Sequence, residues 1–171
     1  MATQKGLLGL YGMGFLFVRK AWAERLRPAY LSRFGVDLGD AHEAATGGPD
    51  YRLMPGARRF DVGNYNYIGC TAAAASIAQL LEIGTPAIER HVVALSYRLA
   101  EGLLDLGLPV QGGPPGPHLA HIVTVGSALQ AQHDATDDPM MLELYQVLVA
   151  GRVKCSIRRG MVRFSLHAYN D

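Results

Sequence analysis

This 171-residue sequence has almost no net charge, only two cysteines and no long apolar run. Sixteen basic residues face 15 acidic ones, a net charge of +1, so nothing in the charge balance favours nucleic acid or an anionic membrane as a partner. Cys70 and Cys155 lie far apart in apolar surroundings, which indicates reduced core thiols without a disulfide or a metal. No apolar stretch reaches the about 20 residues of a membrane span, and no signal-peptide pattern is present. We therefore expect a cytosolic location.

Near the beginning of the sequence, a lysine precedes an apolar run that is interrupted by glycines. Lys5 opens the run, Gly12 and Gly14 permit backbone conformations closed to other residues, and residues 15–18 predict a short buried strand. Desolvation at such a place makes a lysine amine a usable nucleophile, which is what a Schiff-base lysine needs. A solvated surface charge is the commoner situation for a lysine so near a chain end.

A second informative stretch precedes the first long helix. The segment Arg58-Arg59-Phe60-Asp61-Val62-Gly63-Asn64-Tyr65-Asn66-Tyr67 leads into an alanine-rich helix, predicted over about 68–83 and ended by Gly84. Asn64 or Asn66 would cap this helix, and Gly63 permits a close approach. A helix N-terminus suits a phosphate, although an ordinary capped helix explains the same residues.

The other elements follow from periodicity and punctuation. We expect a helix over 21–31 shortened by a proline, and a long loop over 34–55. A helix capped by Thr85 carries one apolar stripe as far as Leu106. The remainder predicts a compact α+β lobe with an edge strand at 109–111, a buried strand at 121–125, a helix at 139–150 and a hairpin with strands at 153–158 and 161–169.

The last strand of that hairpin carries an arginine among alternating residues. Val162, Phe164 and Leu166 would face the core, while Arg163 would project from the opposite face. An arginine held on a strand can grip a carboxylate through two parallel hydrogen bonds. A solvent-facing arginine on an open sheet is the alternative.

Three segments together resemble the class V aminotransferases, fold-type I pyridoxal-phosphate enzymes that include cysteine desulfurases and isopenicillin-epimerase-like proteins. The first is Gln4-Lys5-Gly6-Leu7-Leu8-Gly9 with the following Tyr11-Gly12-Met13-Gly14-Phe15-Leu16-Phe17-Val18, similar to the family's lysine segment. The second is residues 58–64, similar to its Arg-Phe-Glu-x-Gly-Thr segment. The third is Val162-Arg163-Phe164-Ser165-Leu166-His167-Ala168-Tyr169-Asn170, similar to its R-x-S-x-x-x-Y-N ending.

The resemblance implies a role for each matching residue. Lys5 would carry pyridoxal 5'-phosphate as a Schiff base, although Gln4 replaces the commoner histidine. Gly63 and Asn64 would touch the cofactor phosphate across a homodimer interface, with Asn64 standing where threonine is usual. Arg163 would bind the α-carboxylate of an amino-acid substrate.

The resemblance also implies a fold and a missing portion. The fold class is α/β, the C-terminal part of the fold-type I transferase, with residues 1–84 from the large cofactor-binding domain and residues 85–171 forming a linker helix plus a small α+β domain. Relatives carry the ring-stacking residue, the aspartate for the pyridine nitrogen and most phosphate ligands before the lysine. We therefore expect the C-terminal fragment of an aminotransferase, with epimerisation or elimination as alternative reactions. Alone it would have little turnover, and it would work as a homodimer or with a complementary N-terminal half.

Two other function classes stay open from the sequence. One is a catalytically dead dimerisation or regulatory module derived from the same family. The other is an unrelated α/β binding domain in which Lys5 and Arg163 are surface charges. Sulfur transfer is not expected, because the short connection between Arg158 and Arg163 has no room for the loop that bears the catalytic cysteine in desulfurases.

Overall fold

The chain divides into two compact units, Met1–Glu82 and Ile83–Asp171. The computed structural model describes residues 1–42, 50–127 and 129–171. Part of the loop predicted over 34–55, residues 43–49, therefore lies outside the described residues.

In the residues that the structure describes, the first unit contains two short strands, a 3₁₀ helix, a single-turn α-helix and one long α-helix. In chain order these are α1 (Lys20–Ala23), β1 (Val36–Asp37), β2 (Arg52–Leu53), the 3₁₀ helix (Gly56–Phe60) and α2 (Tyr67–Ile83). The antiparallel strands pair Val36 with Leu53 and Asp37 with Arg52. This ladder corrects the loop predicted over 34–55, since strands of two residues are too short to show periodicity.

The buried strand predicted over Phe15–Val18 is wrong. No strand forms there, and the side chains of Leu16 and Phe17 are 69% and 86% exposed. A strand requires a hydrogen-bonding neighbour, and the described residues of this segment provide only an isolated bridge between Ala2 and Gly14. The helix predicted over 21–31 is the single turn of α1, as expected from the proline at position 28.

Helix α2 begins where the asparagine cap predicted it. Asn66 is the capping residue: its Oδ1 accepts from the Gly69 amide at 2.9 Å and its carbonyl accepts from the Cys70 amide at 2.8 Å. The helix is apolar on nearly every side, yet only Gly69, Ala73 and Leu80 are buried. Helices of this composition are normally covered on all sides, so α2 presents an apolar surface that lacks a cover within its own unit.

None of the helices in the described ranges is long and apolar enough to cross a membrane alone. By length and composition, α2 meets that test only when it is taken together with the helix that follows it, and the two are separated by a bend.

The second unit is a three-stranded antiparallel sheet with two helices packed on one face. Its elements are α3 (Thr85–Asp105), β3 (Ile122–Val125), α4 (Pro139–Ala150), β4 (Ser156–Arg158) and β5 (Met161–Ser165), and the strand order is β3-β5-β4. The core joins strand residues to helix residues: Val123, Val125, Val162 and Phe164 with Ala100, Leu103 and Met141. The opposite face of the sheet carries the residues that alternate with these.

Helix α3 differs from its prediction at both ends. Its N-cap is Gly84, which places Thr85 inside the first turn and makes no side-chain cap. Leu106 lies beyond the last helical residue and is 77% exposed, so it does not belong to the apolar stripe. Ser96 and Ala100 are buried on the helix instead, because small side chains allow the neighbouring elements to approach closely.

The hairpin of β4 and β5 confirms the predicted turn. Arg159 and Gly160 have φ values of 51° and 89°, as a two-residue type I′ turn requires. The strands are shorter than predicted, since β4 begins at Ser156 and β5 ends at Ser165. Val110 makes an isolated bridge to Val125, which places the predicted edge strand beside β3 as a single pair.

Both long helices of this unit end in the same hydrogen-bond motif with different residues. After α3, the Leu108 amide donates to the Leu103 carbonyl at 3.0 Å, and the left-handed position is Gly107, at φ 75°. After α4, the Val153 amide donates to the Leu148 carbonyl at 2.8 Å, but the left-handed position is Arg152, at φ 62°. An arginine there carries steric strain that glycine avoids.

We expect Arg152→Gly to stabilise the second unit by about 0.5–1 kcal/mol and Gly107→Ala to destabilise it by about 1 kcal/mol. Urea unfolding followed by circular dichroism measures both, because the only tryptophan, Trp22, lies in the first unit. Arg152→Ala is the matched control, since it removes the arginine side chain and keeps the strain. An equal gain from alanine and glycine would contradict this explanation.

Candidate active site

Lys5 lies exposed on a bend between two chain segments that are tied together. The Phe15 amide donates to the Met1 carbonyl at 2.8 Å, and the Met1 amino group donates to the Phe15 carbonyl at 2.7 Å. The Lys5 carbonyl accepts from the Leu8 amide at 2.9 Å. The desolvation expected for this lysine from the sequence is therefore not found within the described residues of this chain: its amine is accessible to a reactant, and the backbone on either side of it is fixed.

Thr3 holds this lysine loop closed from the inside. It is fully buried. Its hydroxyl donates to the Leu10 carbonyl at 2.8 Å and to the Met13 carbonyl at 3.1 Å. Its own carbonyl accepts from the Gly9 amide at 2.9 Å. A Cβ at Gly9 would lie 2.9 Å from the Thr3 Cβ, so only glycine allows this approach. Sequence reasoning missed Thr3, since nothing local distinguishes a buried threonine from a surface one.

The returning arm of the loop runs past the N-terminus of α2. The Met13 and Cys70 sulfur atoms are 3.8 Å apart, and a Cβ at Gly69 would lie 3.2 Å from the Met13 Cβ. A Cβ at Gly12 would lie 3.6 Å from the side-chain nitrogen Nδ2 of Asn66. The structure therefore brings together the lysine segment and the capped start of α2, which are more than 50 residues apart in sequence.

Gly63 and Asn64 lie exposed just before that helix start. A Cβ at Gly63 would have no atom within 4 Å, so space is open at its backbone. The Oδ1 of Asn64 accepts from Arg33 Nη2 at 3.1 Å, and the Arg33 guanidinium lies 4.6 Å from the centre of the Phe34 ring. Because its oxygen is engaged, the Asn64 side chain offers its NH₂ group as a donor.

Tyr65 fixes the same segment from the other side of Asn64. Its hydroxyl donates to Asp61 Oδ2 at 2.8 Å, and this hydrogen bond raises the pKa of Tyr65 above its ordinary value. Its ring packs edge-on against Phe34, with centroids 5.5 Å apart.

Arg163 lies in the middle of β5, on the sheet face away from the helices. Its neighbours in the strand, Val162 and Phe164, are buried in the core, as the alternation predicted. Across the sheet it stands opposite Thr124 on β3 and Ser156 on β4. Its Nε is buried, and no atom in the part of the chain that the structure describes accepts a hydrogen bond from it.

The four predicted site residues are divided between the two units. Lys5, Gly63 and Asn64 belong to the first unit and Arg163 to the second. Among the described residues, no group of three or more histidine, cysteine or acidic side chains could hold a metal ion.

Cys155 lies just before β4 in an environment that suppresses its reactivity. Burial raises the pKa of the Cys155 thiol above its ordinary value, which lowers the thiolate fraction at neutral pH. Only the two-residue turn of Arg159 and Gly160 joins β4 to β5, so this connection carries no cysteine-bearing loop.

The profile of the family described as Aminotransferase class-V matches residues 1–171. The chain belongs to this family. It is 29% identical over 168 residues to the "Uncharacterized aminotransferase YcbU" of Bacillus subtilis, and this match covers 98% of this chain and 40% of the relative. It is 27% identical over 174 residues to a "Probable cysteine desulfurase" of Pyrococcus abyssi, which covers 98% of this chain and 41% of that relative.

Solved structures show the same fold. The apo cysteine desulfurase from Thermococcus onnurineus NA1 matches with a TM-score of 0.72 at 23% identity, covering 99% of this chain and 42% of that structure. The cystine C-S lyase C-DES, in complex with its product cysteine persulfide, matches with a TM-score of 0.74 at 18% identity, with the same two coverages. The class-V aminotransferase chain thus spans about two fifths of the length of these relatives, and its fold is a part of theirs.

We expect Thr3→Val to loosen the lysine loop, because the Leu10 and Met13 carbonyls lose their hydroxyl donor at a cost of about 1–2 kcal/mol. Urea unfolding followed by Trp22 fluorescence reports on this unit, and cleavage after Lys5 by a lysine-specific protease should become faster. Thr3→Ser keeps the hydroxyl and should stay close to wild type. A loss in Thr3→Ser as large as that in Thr3→Val would contradict the role given to the hydroxyl group.

We expect Cys155 to be alkylated by iodoacetamide with a pH inflection above that of a free model thiol, because its thiolate is disfavoured by burial. Cys70→Ser leaves Cys155 as the single thiol for this measurement. An inflection below the model thiol would mean an activated cysteine and would reopen sulfur transfer.

Proposed function

We propose that this chain contributes the Schiff-base lysine and the carboxylate-binding arginine to a pyridoxal 5'-phosphate enzyme that acts on an amino acid. Transamination is the reaction we favour, with epimerisation or elimination as the alternative. The observation that carries the proposal is the state of Lys5: an exposed amine on a backbone loop fixed by Thr3 and by the pairing of its two arms. Family membership supports the cofactor class.

The residues of the first unit fit the cofactor in part. The amine of Lys5 is accessible for covalent attachment, the backbone at Gly63 is open, and Asn64 offers an NH₂ donor beside the positive charge of Arg33, as a phosphate requires. When bound, pyridoxal phosphate supplies an electron sink for bond cleavage at the substrate α-carbon. The groups that stack on its ring and pair with its nitrogen would come from polypeptide outside the two fifths that this chain spans.

Lys5 and Arg163 would then have different roles. Lys5 Nζ would hold the cofactor, and as a free amine it would carry a proton to or from the substrate α-carbon. Arg163 binds the α-carboxylate and so fixes the substrate's orientation.

The exposed apolar surface of the first unit supports a polypeptide partner. Leu16 and Phe17 in the lysine segment and Ile68 and Leu81 on α2 are all more than 65% exposed. A unit that exposes several large apolar side chains is expected to carry an interaction site. We propose that a second copy or a complementary N-terminal chain covers it, and that the chain has little turnover alone. The same surface suits a catalytically dead dimerisation or regulatory module, the second candidate. A cytosolic location is proposed from the two free thiols.

The test is borohydride reduction in the presence of pyridoxal phosphate, followed by peptide mapping. We expect selective labelling of Lys5 over the chain's other two lysines, Lys20 and Lys154, because the Lys5 amine is accessible on a loop whose backbone is fixed. Lys20, which forms an exposed ion pair with Glu24 at 3.8 Å, is the internal control for a solvated lysine.

Lys5→Ala should abolish the selective signal, and Asn64→Ala should weaken it while leaving the labelling of Lys20 unchanged. Equal, weak labelling of all three lysines would contradict a cofactor site in this chain and favour the module that has lost catalysis.

A further inference from the structure

Two hydroxyl residues flank Arg163 in register across the sheet. Thr124 on β3 and Ser156 on β4 each stand directly opposite Arg163 on the central strand β5. Directly opposed residues project from the same face, with Cβ atoms about 4.5–5.5 Å apart. All three residues are half-buried. They form one row across the face of the sheet that the helices leave open.

The charge on this face suits an anion. The strand residues that share it are Ile122, Thr124, Ser156, Arg158, Met161, Arg163 and Ser165, so it contains two arginines and no carboxylate. Arg158 is turned back onto the backbone, where its Nη1 donates to the Ile157 carbonyl at 2.9 Å. Within residues 1–42, 50–127 and 129–171, no carboxylate forms an ion pair with Arg163.

The buried Nε of Arg163 indicates which edge of the guanidinium binds. An N–H group that is removed from water and lacks an acceptor destabilises the structure, and a bound acceptor relieves this. A carboxylate held side-on, through Nε and one Nη, would supply that acceptor. Such a ligand lies beside the arginine stem and close to the sheet, at the height of the flanking hydroxyls.

We propose that Thr124, Arg163 and Ser156 form a single carboxylate-binding row, in which the guanidinium grips the ligand side-on and a flanking hydroxyl donates a further hydrogen bond to it. The inference rests on the proposed role of Arg163 and adds two binding residues to that site. The ligand class is a monocarboxylate, such as the α-carboxylate of an amino acid.

The experiment is an NMR titration of the full 171-residue chain that follows the Nε–Hε signal of Arg163. Sodium acetate and L-alanine are the two probes, with sodium chloride at matched ionic strength as the blank. Arg163→Gln identifies the signal by removing it. Thr124→Val and Ser156→Ala, singly and together, remove the hydroxyls with little change of shape.

We expect acetate, and not chloride, to shift the Nε–Hε signal strongly, and the double variant to raise the dissociation constant about tenfold, the loss of one charge-assisted hydrogen bond. Each single variant gives a part or all of that loss. Ser165→Ala is the matched control, because Ser165 lies on the same face but pairs with Ile122, outside the row. It should bind as wild type does. Tighter binding of alanine than of acetate would show that the site also reads the amino group.

Two results would overturn the inference, and they differ in meaning. Wild-type affinity in the double variant removes the hydroxyls from the site and leaves Arg163 as a carboxylate ligand. A signal that acetate does not move in the wild-type chain rejects the row and the proposed role of Arg163 together.

Discussion

Side-chain alternation along one central strand couples the stability of the second unit to its chemistry. Strand β5 is hydrogen-bonded on both edges, to β3 and to β4, so backbone pairing fixes its direction within the sheet. Val162 and Phe164 enter the core against α3 and α4, and this burial forces Arg163 onto the open face. A register slip of one residue would bury the arginine and expose the core. The position of the arginine is therefore a consequence of the hydrophobic effect.

The first unit fixes Lys5, the candidate Schiff-base lysine, in a different way. Lys5 lies on irregular backbone, where no ladder of hydrogen bonds sets direction. The buried hydroxyl of Thr3 and the close approach of Gly9 take that role, and the returning arm packs on the start of α2. A loop that is fixed from within can present an exposed amine without the whole segment being buried. That arrangement suits a residue that must meet a cofactor from outside.

The first unit exposes apolar residues, and the chain spans only part of the length of its relatives. The family profile matches the whole chain, while the chain spans about two fifths of the relatives it matches. Phe17 and Ile68 are exposed in this chain although their segments have the composition of buried elements. Residues 15–18 have the apolar pattern of a buried strand. No strand forms there, because the described residues provide no neighbouring strand for them to pair with.

The sequence by itself determined the elements with strong local signals. These are the helices α2 and α3, an asparagine cap at the start of α2, the two-residue hairpin turn and the alternation that places Arg163 on the open face. The three segments that resemble the family also led to the family that the profile match shows. Tertiary structure alone decided what local pattern does not encode: the buried Thr3 hydroxyl, the meeting of Met13 with Cys70, and the Thr124–Arg163–Ser156 row. Each of these joins residues distant in sequence, and such contacts depend on strand register and close packing, which no single segment specifies.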